Sequence, residues 1–183
     1  RRKYINFSSL HSCRKYFFEK VQGKYNTKML IGNHDTFYKN TNETNSPELL
    51  LNEYDSITTY SEPTEILLDQ LKILFLPWIC ADNWGKANNL IDKSDADVVF
   101  GHLEIAGCTM FKGQTNYEGL DPKRFNRFDL VCSGHYHHRH SIGNIMYLGN
   151  PYEMFWNDFE DQRGFNILDT EDASLEFIPN PYT

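Results

Sequence analysis

Three short motifs hold the residue types that could do chemistry: Gly32-Asn33-His34-Asp35, Gly101-His102 and Gly134-His135-Tyr136-His137. Each directly follows an apolar, strand-like run: Met29-Leu30-Ile31, Val98-Val99-Phe100 and Leu130-Val131-Cys132. Strand ends that carry a carboxamide, imidazoles and a carboxylate to one edge of a sheet can assemble a polar site. Neutral imidazole mixed with oxygen donors suits a first-row divalent cation such as Mn, Fe or Zn. Neutral His is the commonest protein ligand for such ions and needs a supporting partner to hold its tautomer. Asn33 can offer its carbonyl oxygen, which leaves His34 near the metal without requiring it to bind. Asp35 would then hydrogen-bond His34, orient the ring and raise its pKa, as a general acid requires. His135 and His137 are two apart and would face opposite ways on an extended chain. A turn started by Gly134 is the expected device that lets both converge.

Each motif alone has a bland explanation. Gly, Asn and Asp favour turns, a Gly-His after a strand is commonly structural, and the histidine run 135–140 could be a solvated loop or an adventitious zinc binder. Three such motifs in order, each after a strand, argue for one site. His138 and His140 are expected to face solvent rather than a metal. His11, on a helix, has no role.

The elements that must position these residues follow from periodicity. Ser9 to Val21 reads as an amphipathic helix, with Leu10, Cys13, Phe17 and Val21 on one face, Ser8 or Ser9 as cap and Gly23 beyond its end. Lys28 to Gly32 reads as a buried strand and 40–46 as a polar loop. Ser46 to Leu51 reads as a helix with Pro47 in its first turn. Strands are expected at 57–60, 65–68 and 72–75, partly in hairpins. A helix over 82–91 then feeds the strand that ends at Phe100. The stretch 107–119 reads as loop. A short helix at 122–125 precedes strands at 129–133, 145–148, 165–168 and 175–178. Helices alternating with strands early and strands dominating late fit an α/β protein with two packed sheets flanked by helices.

The 183-residue chain fits one domain with a substantial core. No stretch is long and apolar enough to span a membrane. The four cysteines form no Cys-x-x-Cys pair, and Cys80 and Cys132 lie in apolar runs, so a reducing cytoplasm is the default compartment. The net charge of −7 excludes a protein that holds nucleic acid by bulk electrostatics alone. The charge is uneven, however: residues 1–28 carry +7 and the other 155 carry −14. The basic segment is either a solvated helix face or a contact for phosphates or an acidic partner.

In their order and strand-end placement the three motifs resemble those of the calcineurin-like metallophosphoesterases. Finer likenesses point to the SbcD-type nuclease subunits of DNA double-strand break repair, and among them to recombination endonuclease subunits of tailed bacteriophages. These are Leu76-Pro77-Trp78, the run from Gly101 to Gly107, Gly149-Asn150-Pro151-Tyr152 and Asp161-Gln162-Arg163-Gly164-Phe165. The likeness runs from about Arg1 to about Pro179. It implies a two-sheet αββα sandwich. It also implies two divalent metal ions, typically manganese, that activate a hydroxide for in-line attack on a DNA phosphodiester. Carried over, Asn33, His102 and His135 would bind one ion and His137 would help bind the other. His34 would stabilise the transition state or protonate the leaving oxygen, with Asp35 orienting it. The implied partners are DNA, an SbcC-type ABC ATPase subunit and a second copy of the chain, and the implied location is the cytoplasm, the host's for a phage protein. The helix over 9–21 lies where related nucleases place dimer helices, although its apolar face could equally pack on its own sheet. Two other readings stay open: a calcineurin-like enzyme acting on small phosphodiesters or phosphoproteins, and a non-catalytic member that binds DNA or a partner.

The family's first two motifs, an Asp-x-His and a Gly-Asp after the first two strands, have no match in residues 1–28. Residues 1–183 are therefore expected to be a single nuclease domain lacking its first strand-helix-strand portion, a unit of about 30 residues or more. His137 would be left as the only ligand of its ion, against the usual four, and the bridging carboxylate would be missing. The chain is expected on its own to bind metal weakly, to have little nuclease activity and to expose apolar sheet edges.

Overall fold

The computed structural model describes residues 4–111 and 113–182. Arg1, Arg2 and Lys3 of the basic segment lie outside them. From the N-terminus, helix α1 (Phe7–Cys13) runs through a π-helical stretch (Arg14–Phe18) into a last turn, α2 (Glu19–Val21). Strand β1 (Thr27–Leu30), helix α3 (Ser46–Leu51) and strand β2 (Ile57–Tyr60) follow, then β3 (Thr64–Leu68) and β4 (Leu71–Leu76). Helix α4 (Trp84–Lys93) leads into β5 (Val98–Gly101), and β6 (Thr109–Phe111) and β7 (Gln114–Thr115) lie in the next connection. A 3-10 turn (Pro122–Phe125) precedes β8 (Leu130–Ser133), β9 (His140–Ile142) and β10 (Ile145–Tyr147). A second 3-10 turn (Trp156–Asp158) precedes β11 (Gly164–Leu168) and β12 (Leu175–Pro179).

Among the described residues the central sheet has the order β3-β4-β5-β8-β10-β9. Strands β4, β5, β8 and β10 run parallel, while β3 and β9 are antiparallel edges. Parallel strands buried on both faces read as continuous apolar runs, and period-two alternation splits each run between two cores. Leu74, Leu76, Val99 and Val131 face one side, against Ala87 and Ile91 of α4 and against Leu103, Ile105, Phe125 and Phe128. Ile73, Phe75 and Val98 face the other, against Leu30 of β1, Tyr60 of β2 and Leu168 of β11. The second β-layer comprises the parallel pair β1–β2 and the hairpin β11–β12. Beyond β1, Met29 shares a cavity with Leu10 and Phe18 of the first helix and Leu50 of α3. The helix, sheet, sheet and helix layers expected from the sequence are those observed.

Several boundaries differ for identifiable reasons. The first helix starts at Phe7 because the Asn6 side chain, not Ser8 or Ser9, accepts the amides of Ser8 and Ser9 at 2.9 and 3.3 Å. Its half-buried face is Leu10, Arg14, Phe18 and Val21, while Cys13 and Phe17 are exposed. The π-helical stretch closes i→i+5 bonds, which rotates the inward face by about one residue relative to a regular helix. Arg14 ties this helix down, pairing with Glu53 and donating to the Tyr54 hydroxyl at 3.3 Å. The stretch 107–119 is not all loop, since β6 and β7 pair antiparallel within it. The histidine run supplies edge strand β9 rather than only a solvated loop. All four cysteines are unpaired; Cys80, Cys108 and Cys132 are buried and Cys13 is exposed. No helix among the described residues is long and apolar enough to cross a membrane.

Candidate metal centre

The neighbouring parallel strands β5 and β8 end in register, Gly101 opposite Ser133, and so deliver His102 and the Gly134-His135 turn to one sheet edge. Backbone bonds continue the ladder past the strand ends: His102 N–H donates to Leu76 O and Gly134 N–H to Gly101 O, each at 2.9 Å. Strand β1 lies in the second layer, yet Trp78 N–H donates to Ile31 O at 2.7 Å and ties the end of β4 to the end of β1. That bond brings the Asn33 turn across to the two histidines.

Asn33 Oδ1 lies 3.0 Å from His102 Nε2, and His135 Nδ1 lies 3.4 Å from the same nitrogen. An ion about 2.0–2.2 Å from each donor, the range of Zn–N and Zn–O bonds, would hold neighbouring donors about 3.0–3.5 Å apart. The donor set of one amide oxygen and two imidazole nitrogens therefore fits a divalent metal in both chemistry and spacing. Among the described residues no group of three or more His, Cys, Asp or Glu side chains could hold a metal ion; the convergent trio owes its third donor to an amide. Burial, with His135 and other histidines nearby, pushes the pKa of His102 down to about 3, and burial lowers that of His135. Both rings are thus neutral at physiological pH, the form in which a ring nitrogen keeps a lone pair for a cation.

The motif glycines serve the His102 ring. A Cβ on Gly32 would lie 2.8 Å from His102 Cε1, and one on Gly134 would lie 3.2 Å from His102 Nδ1. The left-handed backbone, however, belongs to His135 itself, at φ 84°, and not to Gly134. The expected glycine turn is corrected accordingly: Gly134 provides space, and His135 carries the conformational cost. Trp78 walls the site, its ring 5.4 Å from that of His135 and 6.3 Å from that of His102. A Gly32→Ala protein is expected to stay folded while its Mn2+ affinity falls about ten- to a hundredfold, the usual scale for disturbing a ligand's support. Isothermal titration beside a thermal melt checks this.

His34, Asp35 and His137 line the same cleft, a cavity of about 310 Å³ that also contains Asn33, His102 and His135. The structure thus brings together all six residues expected from the sequence. The Asp35 carboxylate accepts the Gly32 amide at 2.8 Å and so braces its own turn. Burial raises its pKa, opposed by that amide and by the charge of His34. His137 stacks on Phe155 with ring centroids 5.5 Å apart, and its buried Nδ1 has no hydrogen-bond partner among the described residues. A buried ring nitrogen without a hydrogen-bond partner, on a residue that lines the cleft, fits a metal ligand.

His138 and His140 belong to the frame, and the expectation that they face solvent is corrected. His138 Nδ1 lies 2.7 Å from Asp161 Oδ2. His140 Nε2 accepts Thr109 N–H at 3.0 Å while its Nδ1 faces the His138 carbonyl at 3.0 Å, and its ring stacks on Tyr147. Both ring nitrogens of His140 are therefore committed. Sequence reasoning gave no role to Trp78 or to Arg163, whose side chain is 1 % exposed and donates to the His137 carbonyl. The sequence signal for both was their place in the Leu76-Pro77-Trp78 and Asp161-to-Phe165 runs.

Comparison with known proteins gives the chain a family. The chain is 33% identical over 182 residues to Exonuclease subunit 1 of Enterobacteria phage T4, covering 100% of this chain and 53% of that protein. It is 27% identical over 101 residues to the SbcD subunit of the SbcCD nuclease from Staphylococcus saprophyticus, covering 50% of this chain and 27% of the relative. The chain thus spans about half the length of the first and about a quarter of the second. Residues 4–139, which hold every candidate ligand, match the calcineurin-like phosphoesterase family, and to that family this chain belongs.

Proposed function

We propose that this chain is part of a metal-dependent DNA nuclease that hydrolyses phosphodiester bonds by two-metal in-line attack in double-strand break repair or recombination. The observation that carries the reading is the approach of Asn33 Oδ1 (3.0 Å) and His135 Nδ1 (3.4 Å) to His102 Nε2 in a cleft that also holds His34 and His137. The similarity to two nuclease subunits supports DNA as the substrate.

When bound, divalent ions, with manganese the proposed metal, supply positive charge to the phosphoryl oxygens and a nucleophile at neutral pH. Asn33, His102 and His135 would hold one ion and His137 would contribute to the other. His34 stands beside them and does the work of a general acid or of a donor to developing charge. Asp35 keeps the 32–35 turn closed through the Gly32 amide and faces His34 with a favourable charge. The acidic body repels DNA at long range, so the local charge that captures a phosphate comes from the metal site itself. An SbcC-type ATPase subunit and a second copy of the chain are the proposed partners, in the cytoplasm.

The test is cleavage of end-labelled linear DNA by the protein from the complete reading frame that contains this chain. Cleavage is expected with Mn2+ and not with EDTA, and it should return when Mn2+ is added back. Hydrolysis of bis(p-nitrophenyl) phosphate without cleavage of any DNA form would replace the nuclease with a small-substrate phosphoesterase.

A further inference from the structure

Arg163 is the largest side chain fully buried among the described residues, and it sits in no apolar core. One guanidinium nitrogen lies 2.9 Å from both Asp158 Oδ1 and Asp161 Oδ2. Another donates to the main-chain carbonyl of His137. The same carbonyl accepts Asn150 N–H at 3.2 Å, so its oxygen has two donors. Asp158 is tied in turn to the chain beside the cleft: its Oδ2 accepts the amides of Met154 and Phe155 at 2.8 and 3.1 Å. Phe155 then stacks on the His137 ring at an interplanar angle of 14°. Arg163 and Asp158 thus hold His137 from two directions, by its carbonyl and by the ring against its imidazole. Asp161 reaches a third point of the same loop through His138 Nδ1.

Burying an Arg between two carboxylates seldom adds more stability than an apolar replacement would. What it offers is geometry, because the planar guanidinium fixes several acceptors in one orientation where a Lys ammonium cannot. The loop 134–139 needs such a clamp, since it leaves β8 through a left-handed His135 and no ladder holds it until β9 begins. We infer that Arg163, anchored by Asp158 and Asp161, is a positioning residue that fixes the His137 imidazole in the cleft. The inference rests on the metal-site reading above for its purpose, but not for its test.

The test uses the complete protein, metal-free, with ring-13C-labelled histidine, and His137 assigned by comparison with H137Q. In Arg163→Lys the His137 signal is expected to shift or broaden while those of His102 and His135 stay in place. Asp161→Asn, which alters a more exposed partner, is expected to give a smaller change of the same kind and keeps the test open should Arg163→Lys melt early. An unchanged His137 signal in the folded variants overturns the inference, and so does equal broadening of all three histidines, the mark of a merely structural ion pair. Where the wild type binds Mn2+, the ion held with His137 should be weakened about ten- to a hundredfold by Arg163→Lys. Wild-type Mn2+ binding is measured separately, so loss of the metal reading and loss of the positioning role give different results.

Discussion

Replacing His102 with Ala is expected to lower metal-dependent phosphodiester cleavage by at least about a thousandfold, because the group that gathers charge at the phosphate is lost. His102 is central to the trio: its Nε2 lies 3.0 Å from Asn33 Oδ1 and 3.4 Å from His135 Nδ1. It thereby links the turn after β1 to the turn after β8. Its ring also fills the space between the backbones of Gly32 and Gly134, so truncation both deletes a proposed ligand and lets two loops relax. His102 belongs to neither apolar core, so the far-UV circular dichroism of the variant should match the wild type. Mn2+ titration and DNA cleavage on one preparation of the protein from the complete reading frame check the expectation. A folded variant that retains full Mn2+ affinity would remove the trio as the binding site.

His34→Ala is expected to separate chemistry from binding. A general acid contributes about a hundred- to ten-thousandfold to rate, and His34 stands beside the ligands rather than among the convergent donors. Cleavage of DNA should therefore fall by that factor in kcat, with Mn2+ affinity changed by less than about twofold. The leaving group discriminates between the two roles open to His34. An activated phosphodiester such as bis(p-nitrophenyl) phosphate releases a stable phenolate and needs no proton. A penalty that shrinks on this substrate identifies proton donation. An equal penalty on both substrates identifies stabilisation of charge on the phosphoryl oxygens.

Much of the site is legible in the sequence because an apolar strand followed by glycine and a polar residue is a physical signature of a strand end. Three such junctions on parallel or stacked strands must open toward the same edge, and they do. The layer order is legible for a related reason, since runs such as Ile73-Leu74-Phe75 can be satisfied only by burial on both faces. What escaped detection depended on contacts distant in sequence. The helix face rotated from Cys13 and Phe17 to Arg14 and Phe18 because a π-helical stretch is invisible to a fixed 3.6-residue period. His140 reads as part of a polar loop until Thr109, 31 residues earlier in the chain, supplies the donor for its Nε2. Arg163 has no role in the sequence beyond its place in the Asp161-to-Phe165 run, since only the fold reveals that Asp158, Asp161 and the His137 carbonyl surround it.

The left-handed backbone at His135 has a consequence for how this position can vary. A β-carbon at φ 84° costs on the order of 1 kcal/mol or more, and glycine would remove that cost at once. Folding alone thus favours glycine at residue 135, while the proposed metal site needs the ring nitrogen that lies 3.4 Å from His102 Nε2. Under the proposed role, position 135 is a point of tension between thermostability and metal binding.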